Sequence, residues 1–152
     1  MMPGVSRSHG LIVSNLVGAL RERLDLRQGA VIAEFGLDAG ADTLRYPDIV
    51  VDRAGGDSKD YTATAPVLII EVLSPSTAAI DLGDKAAEYL QIPSLLAYVV
   101  VLQDEPKAWV QSRQGAQFEP PEVVAGTDAA IRIAALQLEL PLSDVYSGIK
   151  LS

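Results

Sequence analysis

The stretch Pro66-Val-Leu-Ile-Ile-Glu-Val-Leu73 constrains the fold more than any other part of the chain. Val67, Ile69 and Leu73 stand on one side-chain parity, and Leu68, Ile70 and Val72 on the other. A strand that is apolar on both parities is buried on both faces, and such strands belong to sheets that are covered on each side. Glu71 is the single charge in this run. A carboxylate buried without partners costs several kcal/mol, so a cation, a metal or several hydrogen-bond donors must meet it.

The rest of the composition bounds what surrounds that strand. A chain of 152 residues, 49% of them hydrophobic, is about the length of one compact domain and can bury a real core, which predicts a single domain over 1–152. The absence of Cys excludes a disulfide framework and thiolate metal sites, and fits a reducing cytosol. No apolar stretch reaches membrane-spanning length, and Met1 to Gly10 lacks the apolar core of a signal peptide, so a soluble cytoplasmic protein is expected. The net charge of -8 argues against broad, non-specific attraction to nucleic acid, and leaves phosphate contacts to a local basic cluster.

In chain order, the apolar spacing predicts an amphipathic helix from His9 to Leu26, with Ser8 as N-cap and Gln28-Gly29 as its stop. Arg21, Arg23 and Arg27 suit the dipole at the end of that helix, a reading that outweighs a phosphate contact. Ala30 to Leu37 and Leu44 to Val51 read as strands around a turn at Asp38-Ala39-Gly40, and Arg53 to Ala65 as an exposed loop. After Ser74-Pro75-Ser76-Thr77, Ala78 to Gln91 reads as a helix capped by Ser76 or Thr77, with Leu82, Ala86, Tyr89 and Leu90 on its apolar face. Leu95 to Leu102 is a buried strand, expected parallel to the Glu71 strand through the helical crossover. Ala108 to Ser112 and Gln117 to Glu119 suggest a hairpin. Further short strands extend the sheet to Leu140, and a short helix or turn follows near Ser143 to Gly148. Trp109 reads as a packing residue rather than a base-stacking platform.

Register brings a second acid to Glu71. If Asp48 faces Glu71 in an antiparallel hairpin, Val51 faces Leu68, Arg53 faces Pro66, and the turn centres between Lys59 and Asp60, inside the loop. Opposed acids repel unless a cation bridges them. Lys85 lies on the helix face of Tyr89 and supplies such a charge if it points inward; pairing with Asp81 on the surface is the ordinary alternative.

The chain has no phosphate-binding Gly-Lys-Ser/Thr loop, no dinucleotide glycine pattern and one His. Two carboxylates and a lysine can instead hold Mg²⁺ or Mn²⁺, which prefer oxygen ligands, and stabilise charge in phosphodiester hydrolysis. Glu34 and Glu22 are candidate third carboxylates, each more often a surface acid. His9 has two open readings, one orienting water or phosphate and the other capping or packing.

Ser8-His9-Gly10, Tyr46-Pro47-Asp48 and Glu71-Val72-Leu73-Ser74-Pro75-Ser76-Thr77, followed by Asp81, Lys85 and Tyr89, resemble the Uma-type putative restriction endonuclease family of the PD-(D/E)XK nuclease superfamily. The resemblance spans nearly the whole chain. It implies an α/β (α+β) restriction endonuclease-like core ordered helix, three strands, helix, strand, with a mixed sheet and extra C-terminal strands. It further implies a Mg²⁺-dependent endonuclease acting on DNA, with a homodimer as the expected assembly by analogy. Asp48 and Glu71 would be metal ligands with the Val72 carbonyl, and Lys85 would stabilise the phosphate, since Leu73 stands where the superfamily's lysine normally lies. Two rivals remain. One is a non-catalytic nucleic-acid or protein interaction module on the same fold, and the other makes Asp48, Glu71 and Lys85 a buried ion network only.

Overall fold

The computed structural model describes residues 4–151 except 26, 28, 41, 54 and 82, and only the backbone of 79–81. Helix α1 (Arg7–Arg23) buries Ile12, Leu16, Ala19 and Leu20 on one face. Its N-cap is Ser6 rather than the expected Ser8. The Ser6 Oγ accepts from the His9 N–H at 3.1 Å and donates to Gln103 Oε1 at 3.0 Å, a tertiary tie that Ser8 does not make among the described residues. The helix ends at Arg23 with Leu24 as C-cap, short of the expected Leu26. Leu26 and Gln28, part of the expected stop, lie outside the described residues.

Both of the next two expected strands are divided. The first gives β1 (Gly29–Ala33) and β2 (Leu37–Asp38), the second β3 (Leu44–Arg45) and β4 (Ile49–Arg53). Glu34 ends β1 with φ of 57°, a left-handed turn uncommon for a residue with a side chain. From there the chain crosses to form a separate β2–β3 hairpin before returning to β4. Gly36 allows that crossing, because a Cβ there would stand 2.4 Å from the Tyr61 carbonyl oxygen. Gly40, with φ of 87°, turns the hairpin.

The register of β4 against β5 (Pro66–Leu73) is the expected one through Ile49↔Ile70, Val50↔Ile69 and Val51↔Leu68. It then slips at a bulge, so Asp52 rather than Arg53 faces Pro66. Strand β6 (Ala97–Leu102) pairs parallel with β5, as the crossover requires. That crossover is two helices rather than one, α2 (Pro75–Asp81) and α3 (Asp84–Tyr89). Ser74, not Ser76 or Thr77, takes the cap position: its carbonyl accepts from the Ala78 N–H at 2.9 Å, and Pro75 occupies the first helical position. The interruption falls at Gly83, a residue with poor helix propensity, beside Leu82, which lies outside the described residues.

Beyond β6 the chain forms β7 (Lys107–Gln114), β8 (Gln117–Phe118) and β9 (Glu122–Ala125). Among the described residues the main sheet runs β1-β4-β5-β6-β7, with β8 and β9 both on the outer edge of β7. Strands β10 (Ala130–Ile133) and β11 (Leu138–Pro141) make a separate pair instead of extending it, and the short α4 (Leu142–Val145) follows. The order of helix, three sheet strands, helical crossover and strand is therefore present, in a mixed α+β fold.

The sheet has two covered faces. Leu68, Ile70 and Val72 pack with α1 and the C-terminal elements, while Ile69, Tyr98 and Val100 pack with Ala86 and Tyr89 of α3 and Leu37 of β2. Asn15 of α1 donates to the carbonyls of Val145 and Ser147 at 2.9 and 2.8 Å, locking α1 to α4. Tyr146 donates to the Leu102 carbonyl at 2.6 Å, fixing the end of β6. Among the described residues no helix is long and apolar enough to cross a membrane.

Candidate active site

Asp48 sits one residue before β4, after Pro47, at the sheet end where β5 finishes. Its carbonyl accepts from the Glu34 N–H at 3.0 Å, which ties it to the end of β1. Its Oδ2 accepts from the Val72 N–H at 2.8 Å, and Oδ1 lies 3.1 Å from His9 Nε2. The Val72 amide is available because β4 has not yet begun opposite it. The carbonyls of Val67 and Leu73 accept from Leu96 and Gln103 on the β6 side. Ladder alternation therefore turns the N–H and C=O of Val72 to the β4 edge, where the Asp48 side chain replaces a strand partner.

Continued by one pair, the β4–β5 register sets Glu71 opposite Asp48. Glu71 is 3% exposed. Two side chains from one face of α3, four residues apart, meet it: Tyr89 OH donates to Oε1 at 3.0 Å, and Lys85 Nζ lies 3.4 Å from Oε2. Lys85 thus points inward with its head at the sheet end, while the side chain of Asp81, its alternative partner, lies outside the described residues.

Sequence reasoning took Tyr89 for an apolar face residue and passed over Arg45. Arg45 grips Glu88 of α3 through two bonds, Nε to Oε2 at 2.9 Å and Nη2 to Oε1 at 2.8 Å. That pairing raises the Arg45 pKa, with smaller contributions from Tyr89 and Glu71, and lowers that of Glu88. A guanidinium therefore stands within electrostatic reach of Glu71. The only sequence signal for it was its place just ahead of Tyr46-Pro47-Asp48.

The candidate third carboxylates are elsewhere. Glu34 is exposed, and Glu22 lies 3.6 Å from Arg23. Arg23 also pairs with Asp144 at 2.9 Å and Arg27 with Asp25 at 3.1 Å, as solvated charges at a helix end do. Trp109 packs partly buried against the α3 face of the sheet. A second buried acid, Asp52, went unremarked in the sequence: it is 5% exposed and accepts from the Thr64 and Ala65 N–H groups at 2.9 and 2.7 Å.

The arrangement gathers carboxylate oxygens, a lysine and an imidazole at one sheet end. Such a set can hold a hard cation and stabilise negative charge that develops on a phosphate.

Three likenesses to known proteins bear on this geometry. The family model described as "Uma2: Putative restriction endonuclease" matches residues 1–143. A protein of Synechocystis sp. (strain PCC 6803), itself described as uncharacterized, is 31% identical over 105 residues, or 66% of this chain and 59% of its own length. The match therefore spans less than two thirds of that relative. A putative nuclease belonging to DUF820 from Anabaena variabilis, known from its crystal structure, superposes with a TM-score of 0.77 at 21% identity, over 95% of this chain and 83% of its own. At that identity the likeness establishes the fold, which is nuclease-like.

Proposed function

The chain belongs to the Uma2 putative restriction endonuclease family, and from that membership we propose that it is a nuclease hydrolysing phosphodiester bonds in DNA with Mg²⁺ or Mn²⁺. The observation that carries the reading is Lys85 Nζ at 3.4 Å from Glu71 Oε2, on the sheet end that also holds Asp48.

The donor set fits such a cation. Among the described residues no three His, Cys, Asp or Glu side chains group as a metal site, which is unlike an all-protein cage. Mg²⁺ commonly takes one or two carboxylates and completes its shell with water and substrate phosphate. Among the described residues the Asp48 carboxylate accepts one hydrogen bond, from the Val72 N–H, and contacts His9 through its other oxygen, which leaves acceptor capacity for an ion. Asp48, Glu71 and the Val72 carbonyl would hold the ion. Bound there, it supplies Lewis-acid polarisation of the phosphate and a more acidic water. Lys85 then stabilises the charge that builds on the phosphate oxygens, from the helix position that replaces the usual one at Leu73. Tyr89 holds the Glu71 carboxylate in one orientation. Cleavage of both DNA strands favours a homodimer, and the Cys-free composition suits a reducing cytoplasm.

The experiment is cleavage of plasmid DNA by the purified chain with Mg²⁺ or Mn²⁺. Cutting that Glu71→Ala abolishes at an unchanged melting temperature supports the reading. The net charge of -8 favours a second one, a nuclease-fold module that binds nucleic acid or protein without cutting. DNA retained in a binding assay, with no cleavage at any metal concentration, would select it.

A further inference from the structure

We propose that His9 is a positioning residue, acting on the site through Asp48; the functional consequence rests on the nuclease reading above. Ile12, Leu16 and Leu20 of α1 are fully buried, and His9 is the next position on that stripe toward the N-terminus, where helix α1 reaches the end of the sheet. Its side chain is 15% exposed. The turn that carries it is fixed twice, by the Ser6 cap on its own N–H and by the Ser6 hydroxyl on Gln103 just past β6.

Among the described residues the imidazole has one polar contact, Nε2 at 3.1 Å from Asp48 Oδ1. Its Nδ1 is buried and has no partner among the described residues. A histidine kept for the fold would be expected to satisfy both nitrogens or give way to an apolar residue, since an unsatisfied buried polar atom is a cost. What this imidazole contributes is its contact with Asp48. That contact and the hydrogen bond from the Val72 N–H at 2.8 Å engage the two carboxylate oxygens separately, and so fix the side-chain rotation of Asp48. Without His9 only the Val72 contact remains among the described residues, and the carboxylate swings about it. Outer partners that orient ligating side chains are worth about 10- to 100-fold in metal affinity or activity.

The test compares full-length wild type, His9→Ala, His9→Gln and Asp48→Asn by two readouts. The first, with no metal present, is the Val72 amide proton shift, which reports the bond to Asp48 Oδ2. It should move in His9→Ala and return toward wild type in His9→Gln, whose amide offers a donor near the place of Nε2. The second is Mn²⁺ affinity by calorimetry, expected to fall about 10- to 100-fold in His9→Ala, to recover in His9→Gln and to vanish in Asp48→Asn. A Val72 amide unmoved in His9→Ala overturns the proposal, as does Mn²⁺ affinity within twofold of wild type in that variant. A Val72 amide that responds while wild type binds no Mn²⁺ leaves His9 as the positioner of Asp48 and overturns the metal-dependent reading instead.

Discussion

Two acids are buried on the α3 side of the same strand pair, Asp52 near the start of β5 and Glu71 near its end, and they are satisfied by different kinds of donor. Asp52 accepts two backbone N–H groups, from Thr64 and Ala65. Those donors belong to the chain that leads into β5, so the carboxylate clamps the loop to the strand and accompanies the bulge between Val51 and Asp52. Glu71 is met by side chains, Tyr89 and Lys85, that reach in from a separate helix. Backbone donors are fixed by the fold and serve it. Side-chain donors at a sheet end can exchange a partner for a substrate group, and there the cost of burying a charge is turned toward chemistry.

This contrast separates function from stability, and each variant below bears on it. The largest effect is expected from Glu71→Gln, which should lower metal-dependent cleavage by a thousandfold or so, about 4 kcal/mol of barrier, while the melting temperature stays within a few degrees. Were Glu71 part of an ion network alone, the same change would lower the melting temperature and leave any metal-dependent signal untouched. Asp52→Ala should do the reverse, costing about 2–4 kcal/mol of stability in a denaturant melt by orphaning the Thr64 and Ala65 amides, with cleavage per folded molecule retained. Lys85→Met is next, with cleavage reduced about a hundredfold and Lys85→Arg recovering part of it in the same assay.

The smallest effect concerns Tyr146, whose hydroxyl donates to the Leu102 carbonyl at the end of β6. Burial, with a small addition from Glu105, pushes the Tyr146 hydroxyl from 10.0 up to about 12. Because the folded state holds this proton more tightly than the unfolded state does, the stability it contributes is complete below pH 10 and is lost as pH rises toward 12. Tyr146→Phe should therefore destabilise the chain at neutral pH, and the gap to wild type should narrow across that window in thermal melts.

Where local pattern and global packing agreed, the fold was readable. The two-faced apolar run dictated a central strand. The hypothesis that Asp48 faces Glu71 gave a register that holds through Val51↔Leu68, and the helical period carried Lys85 to the Tyr89 face. The expected family and the mixed α+β core stand with it. What stayed hidden depends on contacts distant in sequence. Ser6 displaces Ser8 as the cap because Gln103 lies beside it. Asp52 shifts the hairpin register at its far end, and nothing in Val51-Asp52-Arg53 announces that two amides await it. Glu34 ends β1 in a conformation that few residues with side chains adopt, so an unbroken apolar strand was the natural expectation. Tyr89 carries an apolar ring and a polar tip, and periodicity registers only the ring.

Asp48 and Glu71 are proposed to bind one divalent cation between them. A crystal of the full chain soaked in Mn²⁺ and measured at the manganese absorption edge tests it directly. One anomalous peak is expected between the two carboxylates, with oxygen ligands from Asp48, Glu71 and the Val72 carbonyl at about 2.0–2.2 Å and with Lys85 still turned inward. No peak there at saturating Mn²⁺, with the Lys85 head turned out to solvent, would contradict it.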